Sequence, residues 1–151
     1  TTTIYDGMGR IEANDNALGH RTTFGFDSSG NPESMMNALG YITTSLYDGA
    51  QRLVANENPL GQRTTYGYDA GGRETSTTNG LGYTSTVIYD FDERAVASEN
   101  ALGYRTSTIY DENSLPIAKV DALGNRSTTV YDEDSRAIAT VNPFDERMTS
   151  S

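Results

Sequence analysis

The sequence is short of the residues that build dense cores and covalent cross-links. Its 151 residues include no cysteine and no tryptophan, and only 35% of them are hydrophobic. The missing cysteine excludes disulfide bonds and thiolate chemistry, and it fits an exported bacterial protein as well as a cytosolic one. The low apolar content predicts sheets with one modest apolar face and argues against a thick core.

Positive charge and long apolar runs are also scarce. The chain has 11 Lys and Arg residues against 21 Asp and Glu residues, a formal net charge of −10. This balance argues against a phosphate-backbone partner, which needs a basic surface, and against an anionic membrane surface. No apolar run approaches the ~18 residues of a spanning helix. We therefore expect neither nucleic-acid binding nor membrane insertion.

A repeat of 21 residues fills the chain. An aromatic–Asp pair and a Leu-Gly pair both recur with this period, although Phe144-Asp145 stands in the seventh Leu-Gly slot. The repeated positions that we predict to be structural are Tyr5, Asp6, Phe26, Asp27, Tyr47, Asp48, Tyr68, Asp69, Tyr89, Asp90, Tyr110, Asp111, Tyr131, Asp132, Gly19, Gly40, Gly61, Gly82, Gly103 and Gly124.

The period divides residues 1–151 into seven repeats and the start of an eighth at Met148-Thr149. The repeats are 1–21, 22–42, 43–63, 64–84, 85–105, 106–126 and 127–147. Neither end carries a recognisable cap, which repeat arrays normally need. We expect the array to be a fragment of a longer one, or to assemble end to end.

Two further columns follow the same period. Arginine occupies the slot four residues after the Asp at Arg10, Arg52, Arg73, Arg94 and Arg136, with Asn31 and Leu115 as exceptions. A small residue recurs at Ala13, Ser34, Ala55, Ser76, Ala97, Ala118 and Ala139. The arginines are expected to pair with acidic side chains on adjacent hairpins, and the small residues to mark close packing.

Each repeat contains two strand-like stretches, such as Tyr104 to Tyr110 and Ala95 to Glu99. β-Branched and aromatic residues favour strands, while Asp and Asn-Ala-Leu-Gly are turn signals. One repeat could be a rung of a β-solenoid or a β-hairpin in an antiparallel meander. A solenoid would stack like charges ~4.8 Å apart, whereas a meander separates them by ~9.6 Å. Two dissimilar turns per repeat also favour the hairpin.

About fourteen strands exceed the ~10 that a twisted open sheet usually holds without curling or splitting. The predicted fold is therefore all-β: tandem 21-residue β-hairpin repeats forming a curved or spiral antiparallel sheet, the wall of a hollow tube, fibre or shell.

The Tyr-Asp pair, the Gly-Arg after it and Asn-Ala-Leu-Gly-x-Arg resemble Rhs/YD repeats over essentially the whole chain. The resemblance implies β-hairpins built into large, spiralling, hollow shells. In bacterial toxin complexes and Rhs toxins such shells enclose a C-terminal toxic domain, and in teneurins a related shell belongs to a cell-surface adhesion protein. We recognise neither the self-cleavage segment of the toxin shells nor a toxin domain. The unvarying spacing suits a regular tube or fibre.

Few residues suggest a ligand. The acidic turns Asp90-Phe91-Asp92-Glu93 and Asp132-Glu133-Asp134 are the best cation candidates, but they lack the spacing of a Ca²⁺ loop. His20 is the single histidine, and other repeats replace it freely. We predict no catalytic residues, no cofactor and no metal.

The sequence thus predicts a non-enzymatic structural array of a large secreted or surface-displayed bacterial protein, located outside the cell. Its partners would be neighbouring repeats or further copies. One alternative is a cocoon around a C-terminal toxin domain. The other is adhesion, with the Tyr and Thr surface binding glycans or partner proteins.

Overall fold

The computed structural model describes residues 1–149, and every regular element in that range is a β-strand. No helix in the described part of the chain is long and apolar enough to cross a membrane. The chain divides into two compact units, Thr1–Tyr83 and the part that begins at Thr84. The all-β hairpin fold predicted from the 21-residue repeat is confirmed.

Unit 1 is an antiparallel meander in which each strand pairs with its neighbours in sequence. Its strands are β1 (Thr2–Tyr5), β2 (Ile11–Asp15), β3 (Arg21–Phe26), β4 (Pro32–Met36), β5 (Ile42–Tyr47), β6 (Leu53–Glu57), β7 (Arg63–Tyr68) and β8 (Glu74–Thr78).

Unit 2 repeats this arrangement. Its strands are β9 (Thr84–Tyr89), β10 (Ala95–Glu99), β11 (Arg105–Tyr110), β12 (Pro116–Val120), β13 (Arg126–Tyr131), β14 (Ala137–Val141) and β15 (Arg147–Thr149). In both units the Thr-rich strand ends on the aromatic residue of the aromatic–Asp pair.

Neither unit builds a second layer. Within each unit, contacts between the described strands join sequence neighbours alone. The buried hydrophobic residues among residues 1–149 are all alanines of the small-residue column: Ala13, Ala55, Ala97, Ala118 and Ala139. The chain exposes 10449 Å², whereas two compact halves of its mass would expose about 9,100 Å² in total. Backbone pairing and contacts along the sheet therefore replace a core.

The small-residue column is matched to the strand that faces it. Ala55 pairs with Leu46, and Ala97 pairs with Ile88. Where the column holds serine instead, the facing residue is glycine, as in the pair Ser76 and Gly67. A Cβ atom added to Gly67 would collide with the Ser76 Oγ. A large residue therefore faces alanine, and glycine faces serine.

Every hairpin closed by an Asp turn carries a register shift beside its aromatic residue, for example between Ile4 and Tyr5. Six hairpins closed by the other turn, within the two units, pair without a shift. A β-bulge increases the local right-handed twist of its strand. The sheet thus receives the same distortion once per repeat.

Candidate functional site

The first recurring group is the turn that the aromatic–Asp pair opens. In the first repeat, the Gly9 N–H donates to the Asp6 carbonyl at 3.0 Å, and the Asp6 N–H donates to the Arg10 carbonyl at 2.8 Å. The Asp6 Oδ1 accepts the N–H groups of Met8 and Arg10 at 2.8 and 2.9 Å. The carboxylate therefore satisfies two backbone donors that would otherwise face solvent. All seven aspartates accept the N–H four residues ahead: Asp6, Asp27, Asp48, Asp69, Asp90, Asp111 and Asp132.

These hydrogen bonds favour the ionised carboxylates. The pKa values of Asp6, Asp48, Asp69 and Asp132 lie below the ordinary aspartate value, first because the backbone N–H of the residue four ahead donates to the carboxylate. The guanidinium of that same arginine lowers these pKa values further. The pKa of Asp27 is lowered first by the side-chain amide of Asn31.

The arginine column pairs inside its own turn. Arg52 Nη2 lies 2.7 Å from Asp48 Oδ2, and the Arg52 Nε–H donates to the same oxygen at 2.8 Å. The same pair forms between Arg10 and Asp6 at 2.7 Å. The prediction that these arginines pair with acidic residues of adjacent hairpins is wrong. The turn brings positions four apart together, so the nearest carboxylate is the local one.

The arginines nevertheless reach the next repeat through its aromatic residue. The guanidinium carbon lies over the ring of the residue sixteen ahead, 4.2 Å from the centroid for Arg10 and Phe26 and 4.7 Å for Arg52 and Tyr68. In unit 2, Arg94 lies over Tyr110 at 4.8 Å. Arg52 Nη1 also donates to the Asp69 carbonyl at 3.3 Å. The arginine thus joins its own turn to the next one.

The tyrosine of the following repeat also forms a hydrogen bond to the preceding repeat. The Tyr68 hydroxyl donates to the Leu53 carbonyl at 2.7 Å, and the Tyr131 hydroxyl donates to the Pro116 carbonyl at 3.1 Å. Both bonds cross to the preceding repeat. We call the Asp–Arg pair with the aromatic residue of the next repeat the inter-repeat clasp. Sequence reasoning missed it, although the constant distance of sixteen residues between the arginine and aromatic columns was a visible signal.

Two repeats lack the arginine. Asn31 keeps the bond inside the turn, since its Nδ2 donates to Asp27 Oδ2 at 2.9 Å. Leu115 keeps the backbone bonds of the turn, since its N–H donates to Asp111 Oδ1 at 2.9 Å and its carbonyl accepts the Asp111 N–H at 3.0 Å, but its side chain has no group that can bond the carboxylate. Neither side chain can stack a cation on the next aromatic residue, so the clasp is incomplete at these two places.

The turn that follows Asn has the same geometry as the Asp turn. The Gly19 N–H donates to the Asn16 carbonyl at 3.0 Å, and Asn16 Oδ1 accepts the N–H groups of Leu18 and His20 at 2.8 and 3.0 Å. The expectation of two dissimilar turns is therefore wrong, although the hairpin that it favoured is present. The six Leu-Gly glycines, Gly19, Gly40, Gly61, Gly82, Gly103 and Gly124, have φ between 75 and 84°. Asp145 takes the seventh place with φ of 61°.

The candidate cation turns have local partners. Asp92 lies 3.2 Å from Arg94, and Asp134 lies 2.8 Å from Arg136. Across residues 1–149, no group of three or more His, Asp or Glu side chains is placed to hold a metal ion. The acidic turns are thus organised around arginine.

A polar groove recurs beside the Asn turns. Its first copy is lined by Thr1, Asn14 and His20, among others, and its second by the matching residues Thr43, Asn56 and Gln62. A third copy in unit 2 is lined by residues that include Lys119 and Asn125. The slot of His20 therefore contributes to the groove without requiring an imidazole.

Comparison with known families and structures assigns the repeat. The family model described as RHS Repeat matches residues 47–84, which contain the four turns that begin at Asp48, Asn58, Asp69 and Asn79. No curated protein matches the chain.

Solved structures of toxin complexes share the fold. The TcdB2–TccC3–Cdc42 crystal structure is 14% identical, with a TM-score of 0.68 over 91% of this chain and 9% of that chain. The Photorhabdus luminescens Tc holotoxin pore is 16% identical, with a TM-score of 0.63 over 93% of this chain and 8% of that chain. The chain therefore spans about a tenth of the length of these structures.

The matched segment contains one complete clasp, Arg52 with Tyr68, and the same turns recur on the 21-residue period in both units. These features confirm the resemblance to Rhs/YD repeats that was drawn from the sequence.

Proposed function

We propose that the chain is a non-enzymatic structural array of seven tandem repeats, part of a longer array that forms the wall of a tube, fibre or shell. The wall would belong to a large bacterial protein that is secreted or displayed at the cell surface. The carrying observation is the inter-repeat clasp in units whose described strands contact only their neighbours in sequence. Since each repeat is held by its neighbours, such an array can lengthen by adding repeats.

The bulge in each Asp-turn hairpin supports a curved wall. Because a bulge adds twist, the equivalent bulges within each unit would bend the sheet of that unit in one sense. The proposed roles of the repeated residues follow from their contacts. The aspartates and glycines shape the turns, and the aromatic residues receive the arginine of the preceding repeat.

Negative-stain electron microscopy of the protein that carries this array, isolated from its source without truncation, tests the proposal. Uniform filaments would support a fibre, and hollow particles would support a shell. Compact particles without a wall or a lumen would contradict a structural array. Recovery of the protein from cells alone, and never from the medium or the surface, would contradict its proposed location.

A cocoon around a C-terminal toxin domain is the second candidate. The similarity to the TcdB2–TccC3 structures favours it, because they share the fold of this chain. If the particles are hollow, a cargo polypeptide should resist protease in intact particles and be digested after they are opened. Equal digestion in both states would contradict the cocoon.

Adhesion is the third candidate, and a separate polar groove in unit 1 favours it. Tyr41 lines this groove with Thr44 and Asn58, and its ring offers an apolar face with a polar hydroxyl on which a sugar could stack. A glycan array probed with the chain should give signals that Tyr41→Ala abolishes. Tyr131→Ala serves as the control because Tyr131 lies in unit 2, outside this groove. A signal that both variants retain would contradict binding in the groove.

A further inference from the structure

The tips of the Asn turns expose large apolar side chains. In unit 1, the exposed fractions are 80% for Leu18, 80% for Leu39, 81% for Leu60 and 74% for Leu81. We call these four residues the leucine edge. Each leucine gives its backbone N–H to the asparagine Oδ1, and this bond makes no use of the side chain.

The opposite ends of the hairpins show that the turn itself does not need leucine. The Asp turns have the same hydrogen bonds, and the N–H of the matching residue again bonds the aspartate, as for Met8, Ser29 and Ala50. The slot in the seven Asp turns holds Met8, Ser29, Ala50, Gly71, Asp92, Asn113 and Asp134. In the seven turns at the other end, of which six open with Asn and one with Asp121, it holds leucine six times and Phe144 once. One geometry thus accepts any side chain at one end and carries only large apolar ones at the other.

Charge separates the two ends as well. The four Asn turns of unit 1, residues 16–20, 37–41, 58–62 and 79–83, contain no Asp, Glu, Lys or Arg in a chain with a net charge of −10. The adjoining Arg21 is paired with Asp15 at 2.8 Å. Like-charged surfaces of two chains repel each other, so this uncharged edge is where two copies can approach most closely.

The spacing of the leucines indicates which partner would bind to this edge. Successive leucines are two strands apart, or ~9.6 Å, and an identical edge offers apolar side chains at that same interval. The Asp-turn edge has the period too, but docking there would remove carboxylates and guanidinium groups from water without new partners. We propose that the leucine edge of unit 1 is an interface with the leucine edge of a second copy of this chain. The two copies meet as an isologous pair, so each leucine of the edge lies in the interface once from each copy.

Sedimentation equilibrium of the 151-residue chain tests the interface, over about 1 to 100 µM, where weak and moderate dimers dissociate. The first variant is Leu39→Asn with Leu60→Asn. The matched control is Met8→Asn with Ala50→Asn, which changes the same turn slot at the other edge. Asn113 occupies this slot natively, so both variants should fold. Far-UV circular dichroism checks that they do. If the leucine variant loses the fold, Leu39→Ser with Leu60→Ser takes its place, since Ser29 also occupies the slot.

The unchanged chain should dimerise, the leucine variant should raise the dimer Kd at least about tenfold, and the control should leave the Kd unchanged. Three outcomes would overturn the interface: a monomeric unchanged chain at every concentration, equal association of the leucine variant, or equal weakening by the control. The edge contact requires only the folded hairpins of unit 1, so it can hold or fail independently of the proposed wall.

Discussion

Arg52→Asn should measure what the inter-repeat clasp contributes to stability. The second repeat already shows the result of this change, because Asn31 keeps the side-chain bond to its own aspartate and lacks a cation for the next ring. Arg52→Asn should therefore preserve the turn at Asp48. It should remove the stacking on Tyr68 and the bond to the Asp69 carbonyl.

The expected loss is about 1 to 1.5 kcal/mol. A cation over an aromatic ring at a partly exposed site contributes about 0.5 to 1 kcal/mol. The bond from Arg52 to the Asp69 carbonyl is long, at 3.3 Å, and we assign it about 0.5 kcal/mol, the low end of the usual range. For a chain of this length, 1 kcal/mol corresponds to about 2–4 °C in Tm.

The chain also offers the reverse experiment. Asn31→Arg places a guanidinium sixteen residues before Tyr47 and should complete the missing clasp, raising stability by about 0.5 to 1 kcal/mol. Equilibrium urea unfolding, followed by far-UV circular dichroism, compares both variants with the unchanged chain. If the m values of the variants are equal, the difference between their urea midpoints reports the difference in stability. Shifts of both variants in the same direction, or no shift from Arg52→Asn, would refute the clasp as a source of stability.

Three further changes test the turns, the packing and the carboxylates. Gly103→Val should lower stability by about 1–3 kcal/mol, because φ at Gly103 is 78° and a branched side chain is strained there. His20→Ala should change the stability little. Equal Tm values for the two variants would contradict the turn assignment. Gly67→Ile should destabilise the fold because the new side chain collides with the Ser76 Oγ. Adding Ser76→Ala should recover most of the lost stability, because it recreates the pair of a large residue and alanine. A double variant no more stable than Gly67→Ile would contradict the matching of the small-residue column to the facing strand. Folding lowers the pKa of six turn aspartates, namely Asp6, Asp27, Asp48, Asp69, Asp90 and Asp132. Their stabilising contribution is therefore complete above the unfolded pKa of ~3.9 and is lost as pH falls through the lower folded values. Urea midpoints should then stay level from about pH 7 to 5 and fall below about pH 4, and Asp48→Asn should flatten that acid fall.

The sequence predicted the local parts of the fold well. The strand from Ala95 to Glu99 has the predicted bounds, and the strand that ends at Tyr110 begins one residue later than predicted. These segments depend on β-branched residues and on turn residues within a few positions, so local propensity is sufficient. Because these strand and turn residues recur every 21 residues, the hairpin repeat was a stronger prediction than any single turn.

The backbone of the Asp turn was less visible. Its fourth residue has positive φ in every repeat, but glycine occupies the slot only at Gly9, Gly30 and Gly72. Gln51, Glu93, Ser114 and Ser135 adopt φ of 63 or 64° in the other repeats. Such residues give no local signal for a left-handed conformation. The aspartate carboxylate, which bonds the backbone on both sides of this residue, favours the conformation instead.

The partner of the arginine could not be read from charge alone. Coulomb attraction favoured an acidic residue, but several carboxylates were available, and the turn geometry decides which one is near. The contact with Tyr68 depends on the alignment of two hairpins, which brings positions sixteen apart together. Alignment between hairpins is a property of the folded sheet, so residue types alone did not reveal the stacking.

The repeated positions now separate by the contacts they make. Asp48 forms hydrogen bonds within its own repeat, and Arg52 stacks on Tyr68 of the next repeat. The Leu60 side chain is exposed and serves neither contact. In an array without a second layer, stability is a sum over repeats and their junctions, so each junction matters individually. The junctions after Asn31 and Leu115 lack the stacked cation and should be the first to open. The gain from Asn31→Arg therefore measures how much a single junction limits the whole array.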